Sequence, residues 1–271
     1  MKKGIVFIIA AVLCSLIICG CAKKKAEVQP ANALEALKQR GVFVLGLDDS
    51  FPPLGFRDDN NEIVGYDIDL AKEVAKRMGV EFKAQPIDWD AKEMELQTGK
   101  IDCIWNGFTI TEERKQALSF TFPYLNNEQV LVVRKNGSVK TYDDLSGRVV
   151  GYQSGSSAQE AIDSNTPFKY WLGDVVAFKD NITALNDLKV GGIDAVAMDS
   201  VVANYSIAMT GEPFTVLPQA LANEEYGIGF RKSEPELRDE VERILLEMAA
   251  DGTVAQISTK WFGKDISVIG K

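Results

Sequence analysis

The amino-acid sequence predicts an α/β protein with two lobes. Short apolar segments alternate with helical segments along most of the 271 residues, and this alternation is typical of a parallel sheet flanked by helices. One pattern also occurs twice, at residues 96–104 and 188–196, as a helix end, a glycine turn and a buried strand. Two similar α/β units in a chain of this length favour two lobes of ordinary domain size.

Local patterns place the individual elements. In the segment after Gly65, the apolar residues Ile68, Val74 and Met78 recur at helical spacing, and Gly79 fits a C-terminal cap. The other predicted helices are residues 34–39, 91–98, 181–189, 235–250 and 253–262. The predicted strands are residues 42–47, 81–87, 101–105, 149–152, 175–178 and 226–230.

The first residues are typical of a targeting segment. Lys2 and Lys3 precede an apolar run at residues 5–18, and the run ends at Cys19-Gly20-Cys21. This order predicts a signal peptide at residues 1–20. Residues 18–21 resemble the bacterial lipobox, which makes Cys21 the predicted site of lipid attachment and residues 21–33 a tether. An uncleaved membrane anchor is the alternative, for which the apolar run is short.

Composition excludes several classes of function. The net charge of −9 makes nucleic acid an unfavourable partner. The chain has 0 histidines, which removes Ser–His and Cys–His nucleophiles and histidine zinc sites. Residues 151–155 lack the lysine and the spacing of a phosphate-binding loop. We therefore predict no enzyme activity, no metal and no cofactor.

Polar residues follow the predicted strands where a ligand site is expected. Asp48, Asn106-Gly107, Gln153 and Asp199 all stand at such strand ends, and ligands of open α/β sheets bind beyond the carboxyl ends of strands. Asp199 could equally cap the helical run that begins at Ser200. The strand ends therefore predict one cleft between two lobes.

Four motifs carry a resemblance to a known family. They are residues 65–70 (Gly-Tyr-Asp-Ile-Asp-Leu), residues 109–115 (Thr-Ile-Thr-Glu-Glu-Arg-Lys), residues 193–199 and the closing residues 260–263. Together they resemble the extracytoplasmic solute-binding proteins of polar amino acid ABC importers. The resemblance implies the two-lobe type II periplasmic-binding-protein fold with a two-crossing hinge. It also implies lobe 1 at residues 34–125 and 226–271, lobe 2 at 129–221, and a hinge at 126–128 and 222–225.

The same resemblance implies how a free amino acid is held. Arg114 would grip its α-carboxylate, assisted by Gly107, Thr109 and Ser157. Asp199 would hold its α-ammonium, helped by the carbonyl of Gly107 and the hydroxyl of Thr109. A fixed cation and a fixed anion facing one cleft suit a zwitterion.

The residues that read the ligand's side chain are also implied by the resemblance. They are Asp48, Phe51, Trp89 and Gln153, with Asp49 an alternative to Asp48; Phe51 and Trp89 could instead be core residues. An acid beside two aromatic rings favours a cationic ligand, arginine or lysine, with glutamine next. No matched position supplies a second cation for an acidic side chain.

The expected partners follow from this family. We expect a monomeric extracytoplasmic protein, held at the membrane by the lipid on Cys21, that delivers its amino acid to an ABC permease. The rival predictions are a two-lobed enzyme such as a dehydratase and an amino-acid-sensing receptor module.

Overall fold

The computed structural model describes residues 30–271. The predicted signal peptide at residues 1–20, the lipid site at Cys21 and most of the tether at 21–33 lie outside the described residues. The α-helices are Ala33–Arg40 (α1), Tyr66–Met78 (α2), Lys92–Gln97 (α3), Glu112–Ala117 (α4), Ser157–Ser164 (α5), Thr166–Trp171 (α6), Asn181–Val190 (α7), Ser200–Thr210 (α8), Pro235–Ala250 (α9) and Thr253–Phe262 (α10). Within residues 30–271, no helix combines the length and apolar character needed to cross a membrane.

Thirteen strands accompany these helices within the described residues. They are Val42–Leu47 (β1), Ser50–Phe51 (β2), Gly55–Arg57 (β3), Ile63–Val64 (β4), Glu81–Pro86 (β5), Cys103–Thr109 (β6), Leu118–Phe120 (β7), Leu125–Arg134 (β8), Val149–Gln153 (β9), Asp174–Phe178 (β10), Ala195–Asp199 (β11), Phe214–Val216 (β12) and Ala222–Arg231 (β13). Short 3₁₀ turns at Trp89–Ala91 and Asp143–Leu145 complete the regular structure.

The large sheet has two halves that meet at a pair of long strands. Its order is β10-β9-β11-β8-β13-β6-β1-β5. Strands β5, β1 and β6 run parallel to one another, and so do β10, β9 and β11. Strands β8 and β13 pair antiparallel between the halves, with Leu125 opposite Tyr226 and Gln129 opposite Ala222. This confirms the predicted α/β fold with two lobes and two crossings. We call the half with β5, β1 and β6 lobe 1, and the half with β10, β9 and β11 lobe 2.

The last two helices of the chain pack beside the helices of lobe 1. Helix α9 has the predicted limits, and its buried residues Leu237, Val241, Ile244 and Met248 recur on one face. That face packs against α1 and α2, and α10 packs against α2 and α9. The two chain crossings therefore frame lobe 2.

One predicted boundary in the site region is wrong. The strand predicted to end at residue 105 continues as β6 to Thr109, so Asn106 and Gly107 lie inside a strand and not in a loop. Strand β13 supplies the reason, because Tyr226 and Gly227 pair with Thr109 and Phe108 across an irregular register. Polar residues and a glycine signal a loop locally. Here Asn106 and Gly107 lie in the irregular register, where Gly107 has a φ of +56°, and pairing with the distant strand resumes at Phe108. Cys103 in the same strand is a buried free cysteine.

Candidate ligand-binding cleft

Direct hydrogen bonds hold the two lobes together across the cleft. Nε2 of Gln153 donates to Oδ2 of Asp48 at 2.7 Å. The hydroxyl of Ser157, at the start of α5, donates to the hydroxyl oxygen of Thr109 at 3.1 Å. These four side chains are buried and all belong to the predicted site. The structure therefore brings predicted residues from both lobes into one closed cleft.

Helix α4 positions Arg114 in this cleft. The hydroxyl of Thr111 caps the helix by accepting from the Arg114 N–H, and the guanidinium stacks over Phe108 with its carbon 4.5 Å from the ring centre. Its nitrogens donate to the carbonyl of Thr109 at 2.8 Å and, across the cleft, to that of Gly155 at 3.1 Å. Burial lowers the pKa of Arg114, and the Glu224 carboxylate opposes that shift. The guanidinium thus faces neutral acceptors and remains a cation able to bind a carboxylate.

Asp199 is the buried anion of lobe 2. Its Oδ1 accepts from Nδ2 of Asn127 at 2.7 Å and from the hydroxyl of Tyr226 at 2.7 Å. Its side chain makes no capping hydrogen bond to α8. The hydrogen bonds of the carboxylate are therefore made to cleft residues and not to the helix. Burial, followed by the charge of Glu224, raises the pKa of Asp199. A ligand cation at this position would offset both effects.

Sequence reasoning missed Glu224. This residue lies on strand β13, at one of the crossings, and its Oε2 accepts from Thr109, Asn127 and Gln129 at 3.0, 3.0 and 3.1 Å. It therefore stands between Asp199 and the lobe 1 wall as a second carboxylate. The residues around Glu224 in the sequence form no motif that indicates a binding site. Its carboxylate reaches the cleft only because β13 pairs with β8.

Gly107 lies beside the cleft, but its N–H is already engaged. It donates to Oδ2 of the buried Asp67 at 2.8 Å and to the hydroxyl of Tyr124 at 3.1 Å. In this conformation that N–H is unavailable to a ligand carboxylate. The predicted role of the Gly107 carbonyl stays a prediction.

At the far end of the cleft, the two adjacent acids Asp48 and Asp49 have different surroundings. Asp48 is buried and faces Gln153, whereas Asp49 forms a surface ion pair with Arg57 at 2.6 Å. Burial raises the pKa of Asp48, and the hydrogen bond from Gln153 opposes the shift. Asp48 is therefore the acid that faces the cleft, and its contact with a ligand side chain stays a prediction.

The two predicted aromatic residues are both buried, and both belong to hydrophobic clusters. Trp89 packs edge-on against Phe108, with ring centres 5.7 Å apart, and Phe51 lies in a large hydrophobic cluster with residues from both lobes. Their rings therefore contribute to the core at the edge of the cleft. Whether they also contact a ligand stays a prediction.

A second residue that sequence reasoning missed is Lys92. It is only 5% exposed, and its ammonium donates to the carbonyls of Trp89 at 3.1 Å and Gly155 at 2.9 Å. Burial, followed by the charge of Arg114, lowers the pKa of Lys92 to about 8. Lys92 is therefore a second cation beside the cleft, at a position outside those that the family resemblance matched. The helical pattern of residues 91–98 gave no reason to single out one lysine.

An open groove adjoins the closed cleft on the side of the crossings. Its volume is about 1240 Å³, and it meets the predicted site at Thr109 and Ser157. Asn127, Glu224 and Ser200 also line it. Thr109, Ser157 and Glu224 therefore border both this groove and the closed cleft.

Comparison with known proteins shows the family to which the chain belongs. Residues 43–264 match the family described as bacterial extracellular solute-binding proteins, family 3. The chain belongs to this family. The match includes both halves of the sheet and all nine ligand-binding positions predicted from the sequence.

Individual family 3 relatives carry different names. The chain is 34% identical over 236 residues to the L-cystine-binding protein TcyJ of Escherichia coli, which covers 86% of this chain and 87% of that protein. It is 33% identical over 222 residues to the ABC transporter arginine-binding protein 1 of Escherichia coli, with coverage of 80% and 89%. A solved ABC substrate-binding protein from Streptococcus pneumoniae with bound histidine is 34% identical, with a TM-score of 0.85 and coverage of 88% and 99%.

Proposed function

We propose that this protein binds a free polar L-amino acid between its lobes and delivers it to an ABC import permease. The observation that carries the proposal is the placement of Arg114 on lobe 1 and the buried Asp199 on lobe 2 at one cleft. A zwitterion neutralises both groups at once and bridges the lobes. The names of the relatives support an amino acid as the ligand.

The ligand's two charged groups have separate partners in this proposal. Arg114 binds the α-carboxylate with help from the hydroxyls of Thr109 and Ser157, which already meet across the cleft. Asp199 binds the α-ammonium, and Glu224 adds a second carboxylate beside it. Phe51, Trp89, Asp48 and Gln153 surround the side chain, and Gly107 contributes its carbonyl.

Closure of the lobes would then signal the bound state to the permease. Residues 126–128 and 222–225 are our proposed hinge, between lobe 1 (34–125 and 226–271) and lobe 2 (129–221). Support comes from the hydrogen-bonded pairing of β8 and β13 across these residues. A ligand that contacts both lobes favours the closed population. Small-angle X-ray scattering should show a smaller radius of gyration when the amino acid is added.

Calorimetry with the purified protein and the free L-amino acids tests the binding function. We expect saturable binding of at least one polar amino acid and no chemical turnover of it. Heat of binding absent across all the amino acids would contradict the proposal. Conversion of the bound amino acid would instead support the rival enzyme.

The membrane attachment is a separate proposal. We propose that Cys21 carries the lipid and that the protein acts as a monomer outside the cytoplasmic membrane. Support is limited to the pattern of residues 18–21 and to family membership. Cells fed a labelled fatty acid should label the protein but not Cys21→Ser, and equal labelling of both would exclude this site.

A further inference from the structure

Two cations in the cleft share one neutral acceptor. The ammonium of Lys92 and the guanidinium of Arg114 both donate to the carbonyl of Gly155, at 2.9 and 3.1 Å. Their other acceptors are also backbone carbonyls, of Trp89 and Thr109. Among residues 30–271, no carboxylate forms an ion pair with either cation. Buried cations usually have an anionic partner, so a ligand acceptor here would satisfy both.

Lys92 also lies at the wall that the ligand side chain is expected to meet. Its ammonium is 5.1 Å from the centre of the Trp89 ring, so the protein's own cation already makes the cation–π contact there. Gly155, its partner across the cleft, is two residues from Gln153 and two from Ser157, both at the site. Lys92 is therefore part of the cleft and not of the outer surface.

A hydrogen-bond acceptor, Asp48, lies near this donor, because Gln153 binds it only two residues before Gly155. Gln153 donates to Asp48 and accepts from Asn181 at 3.2 Å. Asp48 can accept from a ligand N–H, whereas Lys92 can only donate. A side chain with both a donor and an acceptor at its far end would satisfy the two residues together.

We infer that Lys92 is a specificity-determining residue that donates to an acceptor oxygen on the ligand's side chain. This inference rests on the proposed amino acid binding and defines its substrate class. The favoured side chain ends in a group with both a donor and an acceptor, such as a primary amide or a second amino acid head group. A purely cationic side chain, as in arginine or lysine, meets repulsion from Lys92. This reverses the ranking predicted from the sequence.

The test is calorimetry on Lys92→Met and Lys92→Gln, with Lys72→Met as the matched control. Lys72 is an exposed lysine on α2. L-glutamine, L-cystine and L-arginine are the probes, and the thermal midpoint without ligand verifies that each variant folds. Methionine keeps the length of the stem and removes the charge, whereas glutamine keeps a donor for the Gly155 carbonyl.

We expect the wild type to bind L-glutamine or L-cystine more tightly than L-arginine. Lys92→Met should weaken that tighter binding by about ten-fold or more, the scale of a lost charge-assisted hydrogen bond, and leave or improve L-arginine binding. The affinity of Lys92→Gln should lie between those of the wild type and Lys92→Met, and the affinity of Lys72→Met should equal that of the wild type.

Several results would overturn the inference without touching the proposed function. They are tightest wild-type binding of L-arginine, unchanged affinities in Lys92→Met, or an equal loss for every amino acid. The equal loss would show that Lys92 only holds the lobes closed. If the wild type bound no amino acid at all, the proposed function itself would fail.

Discussion

Asp199 and Glu224 accept hydrogen bonds from the same amide nitrogen, Nδ2 of Asn127, at 2.7 and 3.0 Å. Two carboxylates from different strands thus share one neutral donor at the point where the crossings meet the cleft. Like charges so placed disfavour the ionised form of Asp199. An ammonium group between them would relieve this repulsion. The closed protein should therefore favour a ligand whose α-ammonium lies at this position.

Glu224→Gln should therefore change stability and binding in opposite directions. Without ligand, removal of the negative charge beside Asp199 should raise the thermal midpoint. Affinity for the amino acid should fall by about 1.5–3 kcal/mol, the range for a hydrogen bond to a charged group. Calorimetry and thermal unfolding measure the two effects. The exposed neighbour Glu225 gives the control Glu225→Gln, and a shared response of both variants would argue against the paired-carboxylate site.

Gly107→Ala tests the close packing behind the cleft. Gly107 has a φ of +56°, and an added Cβ would stand 2.6 Å from Leu54 Cδ1 and 3.0 Å from Phe51 Cε1. We expect a loss of about 1–2 kcal/mol from backbone strain and about 1–3 kcal/mol from overpacking. Gly147→Ala has a similar φ of +70° with no atom within 4 Å, so it should show only the strain. Equal urea midpoints for the two variants would exclude the predicted overlap.

Asp67 should make stability depend on pH. Burial raises its pKa to about 7 from a model-peptide value of 3.8. The folded state therefore keeps a proton that the unfolded state releases, and this stabilisation is complete below pH 4 and lost as the pH rises through 7. Between pH 5 and 7 the free energy of unfolding should fall by about 1–3 kcal/mol from this group.

Asp67→Asn should remove that part of the pH dependence, because an amide oxygen can still accept from Gly107 and Tyr124 without titrating. Urea unfolding at pH 5, 6, 7 and 8 measures the slope. The exposed Asp59 provides the control Asp59→Asn, which should follow the wild type. Parallel curves for Asp67→Asn and the wild type would show that Asp67 does not set the slope.

Much of the fold could be predicted because its signals are local. Helix α9 has the predicted limits, since Pro235 fixes its start and apolar residues recur on one face. Strands β1, β5, β9 and β10 were also predicted, with ends that differ by at most one residue. Strand β8 was not predicted, although it contains an apolar run at residues 130–133. The predicted end of strand β6 came too early because Asn106 and Gly107 have loop propensity. They lie in the irregular register between the paired residues Ile104 and Phe108, and only the pairing of Phe108 and Thr109 with β13 continues the strand beyond them.

The site could be predicted only in part for the same reason. Motifs that recur in the family led to Arg114, Asp199 and the hydroxyls, and the structure places these in one cleft. Lys92 and Glu224 carry no local pattern. Lys92 becomes notable only because Gly155 approaches it across the cleft, and Glu224 only because β13 turns its carboxylate toward Thr109. Such residues emerge from tertiary contacts and not from spacing.

The central claim is that the cleft binds a free amino acid through Arg114. The most direct test is calorimetric titration of the wild type, Arg114→Ala and the control Arg243→Ala, an exposed arginine on α9, with the best amino acid of the panel. We predict that Arg114→Ala loses about 2–5 kcal/mol of binding energy, because the ligand carboxylate is left without its cation, while Arg243→Ala binds as the wild type does. Wild-type affinity in Arg114→Ala, with its thermal midpoint intact, would contradict the account.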